Sequence, residues 1–196
     1  CFYIISGLIK PDNGKINIGK SDITGYPVYE RARIGLGYLP QEMSIFKGLS
    51  VEDNLLSIIE TKEFDNHKRY QILEDLLVEF NITKIRSSLG ITLSGGERRR
   101  VEIARCIASN PTHILLDEPF SGIDPIAIQD LKNLIGYLKQ RNIGVLITDH
   151  NVKDTLDIVD RAYVLYDGKI LLKGNPFEIK NDQKVKSVYL GKSFSI

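Results

Sequence analysis

Short apolar runs alternate with longer stretches of helical periodicity along the chain. Apart from Thr148, residues 35–39, 114–116 and 144–148 are apolar or glycine, and a proline or a charged residue follows each run, which is typical of short buried strands. Residues 125–140, between the last two runs, have the spacing of a helix. Because strands that alternate with helices form parallel sheets, this order predicts an α/β fold with a mostly parallel sheet and helices on both faces.

The middle and the end of the chain depart from this alternation. Residues 48–96 predict a helical subdomain, and one of its helices has an apolar face made of Ile72, Leu73, Leu76, Leu77 and Phe80. A hairpin turn is expected at Asp167-Gly168, and residues 175–196 predict a C-terminal helical tail. With no internal repeat or low-complexity linker, residues 1–196 are interpreted as a single, partial domain.

Composition limits the classes of function. The 196 residues are 42% hydrophobic, which is enough for one sizeable core. Lys and Arg number 26 and Asp and Glu number 25, so a net charge of +1 argues against a protein that mainly binds nucleic acid electrostatically. The two cysteines, Cys1 and Cys106, offer no disulfide framework, which favours a reducing cytoplasm. No run of about 18 apolar residues predicts a membrane span.

Residues 14–21 match the phosphate-binding pattern G-x-x-x-x-G-K-[ST] letter for letter. A functional loop of this kind follows a buried strand and opens a helix whose N-terminus faces the phosphate. Here a turn, not a buried strand, precedes residues 14–21. Within them two isoleucines alternate with polar residues, as in a strand, and residues 22–27 are poor helix formers. We therefore interpret residues 14–21 as a surface strand.

Two adjacent carboxylates, Asp117 and Glu118, end the apolar strand 114–116, where open α/β sheets bind ligands. Because adjacent strand residues point in opposite directions, we expect separate roles for them. One can hold a hard cation such as Mg²⁺, and the other can orient or deprotonate an attacking water. The alternative is a structural pair that caps the following helix or turn.

A glycine-rich turn precedes this strand. Ser94 and Glu97 have the spacing of a capping box, which is a sufficient structural explanation for both residues. Capping does not require Gly95 and Gly96, however. Bare backbone at a helix N-terminus lets amides approach an anion closely, so the pattern favours phosphate binding.

Together these motifs resemble the nucleotide-binding subunits of ABC (ATP-binding cassette) transporters over nearly the whole chain. The motifs that carry the resemblance, in the family's order, are the Q-loop Tyr38-Leu-Pro-Gln41, the signature Leu93-Ser-Gly-Gly-Glu97, the Walker B strand 113–117 followed by Glu118, the D-loop Ser121-Gly-Ile-Asp124 and the switch-histidine loop Thr148-Asp-His150. The resemblance implies the fold of a P-loop NTPase-like ABC nucleotide-binding domain.

The resemblance also implies an ATPase that uses ATP and Mg²⁺. Asp117 and Gln41 are then expected at the metal, and Glu118, His150 and Gln41 are the expected catalytic residues. The expected ATP-binding residues are Ser94, Gly95, Gly96, Glu97 and Asp124. In this family the signature closes over ATP held by a second copy, so a homodimer that sandwiches two nucleotides is implied.

The family's P-loop precedes the helix to which residues 1–5 correspond. We therefore expect the P-loop and the strand before it to lie upstream of Cys1, so that residues 1–196 alone hydrolyse essentially no ATP.

Within the family the resemblance is greatest to the ATPases that drive lipopolysaccharide export. The phrases that carry it are residues 37–42, 44–46, 96–105, 117–120, 148–152 and 188–191. It implies a peripheral protein at the cytoplasmic face of the inner membrane, whose permease subunits contact Gln41, Phe46 and Lys47. The alternatives are the ATPase of a branched-chain amino acid importer and a soluble, non-transport ABC ATPase. Phe46 could instead belong to the core of the helical subdomain.

Overall fold

The structure, a computed structural model, describes residues 1–122 and 124–187, without the side chains of Pro125 and Ile126. The helices are α1 (Phe2–Ser6), α2 (Val28–Arg33), α3 (Val51–Ile59), α4 (Asn66–Glu79), α5 (Gly95–Ala108), α6 (Pro125–Gln140), α7 (Val152–Leu156), α8 (Pro176–Asn181) and α9 (Gln183–Val185). The strands are β1 (Asn17–Ile18), β2 (Ser21–Asp22), β3 (Leu36–Leu39), β4 (His113–Asp117), β5 (Gly144–Thr148), β6 (Ala162–Tyr166) and β7 (Lys169–Gly174). Single 3₁₀ turns span Thr83–Ile85 and Gly90–Thr92.

Two compact units divide the chain, Cys1–Thr148 and Asp149–Ile196. The centre of the first unit is a parallel sheet in the order β3-β4-β5. Its middle strand, β4, is the most buried, with Ile114, Leu115 and Leu116 all excluded from solvent. Apolar side chains on both faces are expected for a parallel strand that helices cover on both sides.

Different helices cover the two faces of this sheet. On one face, Phe2 of α1 packs against Leu36 and Leu115. On the other, Gly37 lies so close to the Cys106 side chain of α5 that an added Cβ would collide with the sulfur. The predicted α/β class, with a parallel sheet and helices on both faces, is confirmed.

Helix α1 is short and has a defined C-terminal cap. It ends at Ser6 because Gly7 adopts a left-handed conformation, with φ 88°, and its amide bonds back to the carbonyl of Ile4. This is a glycine cap of the kind that commonly ends helices. Leu8 and Ile9 therefore lie beyond the helix and are exposed.

Residues 48–96 contain α3, α4 and both 3₁₀ turns. Leu73, Leu76, Leu77 and Phe80 are buried, as the apolar face of α4 predicts. That residues 48–96 form a separate subdomain stays a prediction.

In the second unit, β6 and β7 form an antiparallel hairpin. Asp167 and Gly168 both have positive φ, 47° and 70°, as the predicted tight turn requires. Of the predicted tail 175–196, the described part contains α8 and α9, and residues 188–196 lie outside the described residues. Across the described part of the chain, no helix is both long and apolar enough to cross a membrane.

A buried arginine joins α1 to the segment before α2. Arg31 is 2% exposed, and its guanidinium donates to the carbonyls of Ile4 and Ile5 at 2.7 Å. It also donates to Thr24 at 2.9 Å and to Tyr26 at 2.8 Å. At the end of α1, where a helix leaves carbonyl groups without intrahelical partners, Arg31 gives the Ile5 carbonyl a donor and adds a second donor at Ile4, beside the Gly7 amide.

We expect Arg31→Met to lower the free energy of unfolding by about 2–4 kcal/mol, because the carbonyls of Ile4, Ile5, Thr24 and Tyr26 lose a charged donor at once. Urea denaturation followed by circular dichroism measures the change. Arg33→Met is the matched control, because Arg33 is exposed on the same helix and stacks on the Tyr29 ring. Equal losses in the two variants would contradict a specific role for the buried guanidinium.

Candidate functional site

The carboxyl edge of the three-stranded sheet brings together three of the residues that the sequence singles out, Gln41, Asp117 and Glu118. Asp117 is the last residue of β4 and pairs in register with Thr148, the last residue of β5. The Thr148 hydroxyl donates to one Asp117 carboxylate oxygen at 2.7 Å, and the Tyr38 hydroxyl donates to the other at 3.1 Å. Each oxygen of the carboxylate therefore has a fixed hydrogen-bond partner.

Burial raises the pKa of Tyr38 to about 12, and its hydrogen bond to Asp117 adds to the increase. The phenol consequently stays protonated at neutral pH and remains a donor to the carboxylate.

Glu118 does not continue the strand, so the alternation of strand side chains does not explain its direction. Its φ is +43°, a left-handed conformation that costs a residue with a Cβ roughly 1–2 kcal/mol. Hydrogen bonds on both sides stabilise it, since its amide donates to the Thr148 carbonyl at 2.7 Å and its carbonyl accepts from Ser121 at 3.1 Å. Strained residues held in this way cluster at functional sites.

Gln41, two residues after the end of β3, reaches the same edge. Its side-chain amide donates to a carboxylate oxygen of Glu118 at 2.9 Å. The structure thus brings Gln41, Asp117 and Glu118 together, although 77 positions separate Gln41 from Glu118 in the chain.

These residues fit a magnesium ion that shares its ligands with a nucleotide. Among the described residues, no group of three or more His, Cys, Asp or Glu side chains could hold a metal by itself. Mg²⁺ usually binds through one or two carboxylates together with substrate phosphates, and Asp117 supplies a carboxylate with fixed orientation. Oxygen donors of this kind suit a hard cation.

The glycine-rich turn forms the predicted capping box at the start of α5. The Ser94 hydroxyl accepts the Glu97 amide, and the Glu97 carboxylate accepts the Ser94 amide at 2.9 Å. Hydrogen bonds from Ser94 lower the pKa of Glu97 below its usual value. The structural explanation for Ser94 and Glu97 is therefore confirmed, which leaves their role toward ATP a prediction.

The capping box does not explain Gly95 and Gly96. Neither has a positive φ, and a Cβ added to Gly95 would meet nothing within 4 Å. At Gly96 it would meet only Ala127, at 3.9 Å. Neither backbone conformation nor packing against the residues that the structure describes requires glycine at these two positions, so the space that those residues leave beside them can accept a group from outside the chain.

Asp124 acts as a cap of α6. Its side chain accepts the Ala127 amide at 2.9 Å, and Pro125 follows it as the first helical residue. Ile123 of the predicted D-loop lies outside the described residues. The role of Asp124 toward ATP stays a prediction.

His150 belongs to the second unit. Its side chain is 68% exposed, and its Nδ1 lies 3.8 Å from the carboxylate of Asp149. The next residue, Asn151, caps α7 by accepting the Asp154 amide. Helix α7 extends from there to Leu156. The catalytic role of His150 stays a prediction.

The segment that presents Phe46 is held by side chains from two helices. The Asn54 side chain of α3 bonds both the amide and the carbonyl of Phe46, at 2.9 and 3.0 Å. The Arg105 guanidinium of α5 stacks on the Phe46 ring at 4.6 Å. Phe46 is nevertheless 49% exposed, so it is not part of the buried core, and Lys47 beside it is exposed.

Residues 14–21, which match the phosphate-binding pattern, contain a short β-hairpin. Strands β1 and β2 pair antiparallel, with Asn17 opposite Asp22, and the turn between them contains Gly19 with φ 58° and the exposed Lys20. No helix follows it directly, since α2 begins only at Val28. The interpretation as a surface strand is confirmed.

Sequence reasoning missed Tyr38 and Thr148. Tyr38 lies in the Q-loop motif, where only Gln41 was predicted to be functional. Thr148 lies in the switch-histidine loop, where only His150 was predicted to be functional. A signal was present, because the predicted strands run parallel and polar side chains at their carboxyl ends must meet at one edge.

Comparison with known proteins identifies the family of the chain. A family model described as ABC transporter matches residues 1–121. A probable ABC transporter ATP-binding protein of Azorhizobium caulinodans is 53% identical over all of this chain and 69% of its own length. Two proteins named lipopolysaccharide export system ATP-binding protein LptB, from Haemophilus influenzae and Escherichia coli K12, are 52% and 48% identical. Both alignments cover the whole chain and 81% of the relative.

Solved structures agree with the sequence relatives. The ATP-binding cassette MJ1267 of an ABC transporter superposes with a TM-score of 0.83 at 27% identity. The match covers 97% of this chain and 82% of MJ1267.

Because residues 14–21 form a hairpin, we expect Lys20→Ala in the complete protein to leave nucleotide affinity nearly unchanged. Calorimetric titration with Mg-ATP measures it. Asp117→Ala serves as the positive control, because loss of the carboxylate at the sheet edge should weaken Mg-ATP binding in the same assay. A loss of about tenfold or more for Lys20→Ala would restore residues 14–21 as a phosphate-binding loop.

Proposed function

The chain belongs to the ATP-binding subunits of ABC transporters, and we propose that the complete protein hydrolyses ATP to power extraction of lipopolysaccharide from the inner membrane and its export toward the outer membrane. The observation that carries the proposal is the end-to-end similarity to relatives named for lipopolysaccharide export. The protein then works as a peripheral subunit at the cytoplasmic face of the inner membrane.

Hydrolysis of ATP requires positioning and charge neutralisation more than covalent chemistry. Asp117 would hold Mg²⁺, directly or through water, and the ion would supply positive charge next to the phosphates. Glu118 polarises the attacking water from its constrained position after β4. Gln41 already bonds to Glu118 and is therefore placed to respond to both the metal and the water.

His150 contacts the γ-phosphate in this proposal. A neutral imidazole can donate one hydrogen bond and accept another, so His150 can donate to a phosphate oxygen without changing its charge. The Asp149 carboxylate, 3.8 Å away, can hold the ring through its other nitrogen.

The signature turn binds the nucleotide of a second copy of the chain. Gly95 and Gly96 expose backbone amides at the N-terminus of a 14-residue helix, where, among the described residues, an added Cβ would meet only Ala127, at 3.9 Å. Amides in this position favour an anion such as the phosphates of ATP. The residues that approach ATP from this side are Ser94, Gly95, Gly96, Glu97 and, from the neighbouring loop, Asp124. Two copies then enclose two nucleotides.

The permease subunits bind at the surface formed by Gln41, Phe46 and Lys47. Phe46 supports this assignment because Asn54 fixes its backbone while the residue remains 49% exposed. An exposed aromatic side chain on a rigid backbone is a typical anchor of protein interfaces.

We expect Glu118→Gln in the complete protein to leave ATP binding intact and to lower turnover by a factor on the order of 10²–10⁴, because the amide cannot act as a base. Phosphate release and Mg-ATP titration measure the two quantities. Glu42→Gln is the matched control, since Glu42 is exposed beside Gln41. Turnover close to that of the unmodified protein would exclude Glu118 as the catalytic carboxylate.

We expect Phe46→Ala to weaken binding to the membrane subunits by about 2 kcal/mol, as loss of an interface anchor does. ATPase activity of the protein without those subunits should change little. Co-purification with the membrane subunits and phosphate release of the isolated protein measure the two effects. Phe64→Ala is the control, because Phe64 is a more exposed aromatic residue in the predicted helical subdomain. Equal binding by both variants would contradict the assignment of this surface.

Complementation tests the transported substrate. In Escherichia coli K12 depleted of its own LptB, we expect the complete protein to restore growth and the arrival of lipopolysaccharide at the outer membrane, and its Glu118→Gln variant to restore neither. In parallel, we expect no rescue of a strain that lacks the ATPase of its branched-chain amino acid importer. Rescue of the importer strain alone would favour the importer and overturn the proposal.

A further inference from the structure

The Asp117 carboxylate lies between hydroxyl groups from both neighbouring strands. Thr148 of β5 donates to Oδ1 at 2.7 Å, and Tyr38 of β3 donates to Oδ2 at 3.1 Å. We name this pair of donors the hydroxyl bracket. Asp117 and Glu118 have assigned roles in the proposed ATPase site, whereas Tyr38 and Thr148 have none.

The strand register produces the bracket. Thr148 is the direct partner of Asp117 across the β4–β5 ladder, and Tyr38 is the partner of Leu115 across the β3–β4 ladder. Since side chains alternate between the faces of a strand, Leu115 and Asp117 point to the same face. In-register partners share that face, so Tyr38, Thr148 and Asp117 all lie on the side of the sheet that α1 covers.

The bracket restricts how the carboxylate can turn. The terminal torsion of an aspartate is broad when nothing holds it. Here a rotation about this bond would break a hydrogen bond at each oxygen. Each carboxylate oxygen has two lone pairs, and one of them accepts the hydrogen bond from the bracket. The second lone pair of each oxygen remains available to a metal ion.

Resting on the proposed ATPase function, we propose that Tyr38 and Thr148 are positioning residues that orient the Asp117 carboxylate toward the Mg²⁺ of Mg-ATP. They act through Asp117 and do not contact the metal. Hydrogen bonds to metal-binding side chains commonly set ligand direction, and their removal typically lowers metal affinity about 10- to 100-fold.

Thr148 makes two separable contacts. Its hydroxyl bonds to the side chain of Asp117, while its backbone carbonyl accepts the amide of Glu118 at 2.7 Å. Thr148→Val removes only the hydroxyl, retains the β-branched shape that suits a strand, and leaves the backbone bond to Glu118 in place. Tyr38→Phe likewise removes the hydroxyl and retains the ring.

The test measures metal affinity without turnover. Mn²⁺ is titrated by electron paramagnetic resonance into the complete protein saturated with a non-hydrolysable ATP analogue, and analogue affinity is measured separately without metal. For Tyr38→Phe and Thr148→Val we expect Mn²⁺ affinity to fall about tenfold each, with metal-free analogue affinity unchanged. Thr148→Ser, which retains a hydroxyl, should restore most of the Mn²⁺ affinity.

Thr112→Val and Tyr166→Phe are the matched controls. Thr112 lies just before the amino end of β4, and Tyr166 is exposed at the end of β6. Neither change should alter Mn²⁺ affinity. Thermal unfolding of every variant identifies any general loss of structure.

The outcomes separate this inference from the proposed function. If the unmodified protein binds the analogue with Mn²⁺ and both single variants stay within about twofold of it, the bracket has no positioning role and the ATPase assignment stands. If metal-free analogue affinity and thermal stability fall together in the variants but not in the controls, the hydroxyls are structural and the inference is wrong. If the unmodified protein binds no nucleotide with metal, the proposed function itself fails.

Discussion

The register of β4 between β3 and β5 determines the geometry of the carboxylate site. Three consecutive buried residues, Ile114, Leu115 and Leu116, give β4 apolar contacts on both faces. Because the side-chain period of a strand is two, a shift by one residue would exchange its two faces. Burial on both sides and a hydrogen-bonded ladder at each edge therefore fix Asp117 at the carboxyl end of the sheet.

The position of Asp117 at the end of β4 also accounts for the conformation and the contacts of Glu118. The chain turns sharply out of the sheet immediately after Asp117, and the positive φ of Glu118 makes this turn. Backbone hydrogen bonds of Glu118 with Thr148 and Ser121 stabilise this conformation. The same turn places the Glu118 carboxylate within reach of Gln41. Two adjacent carboxylates thus acquire different surroundings, with hydroxyl donors at Asp117 and an amide donor at Glu118.

Features that depend on nearby residues were predictable from the sequence. The bounds of α6 and β5, the capping box at Ser94 and the turn at Asp167-Gly168 all follow from local periodicity or local hydrogen bonding. The fold class followed from the alternation of strands and helices. The resemblance to ABC transporter subunits named the candidate residues, and the structure brings those of the first unit's sheet edge together.

Features that depend on distant residues were not predictable in the same way. Arg31 reads as an ordinary helix residue, yet it is buried against carbonyl groups more than twenty positions away. The bracket around Asp117 joins residues 79 and 31 positions apart, and only the strand order and register bring them together. The left-handed conformation of Glu118 has no sequence signal either, since glutamate has no preference for positive φ.

The most direct measurement is an experimental structure of the complete protein with Mg²⁺ and a non-hydrolysable ATP analogue. The account predicts the metal at the Asp117 carboxylate, at about 2.0–2.1 Å if it binds directly or one water further away, with Tyr38 and Thr148 still bonded to that carboxylate. It also predicts that Gly95 and Gly96 of one copy face the nucleotide of the other. A metal bound away from Asp117, or phosphates seated at the hairpin around Lys20, would contradict it.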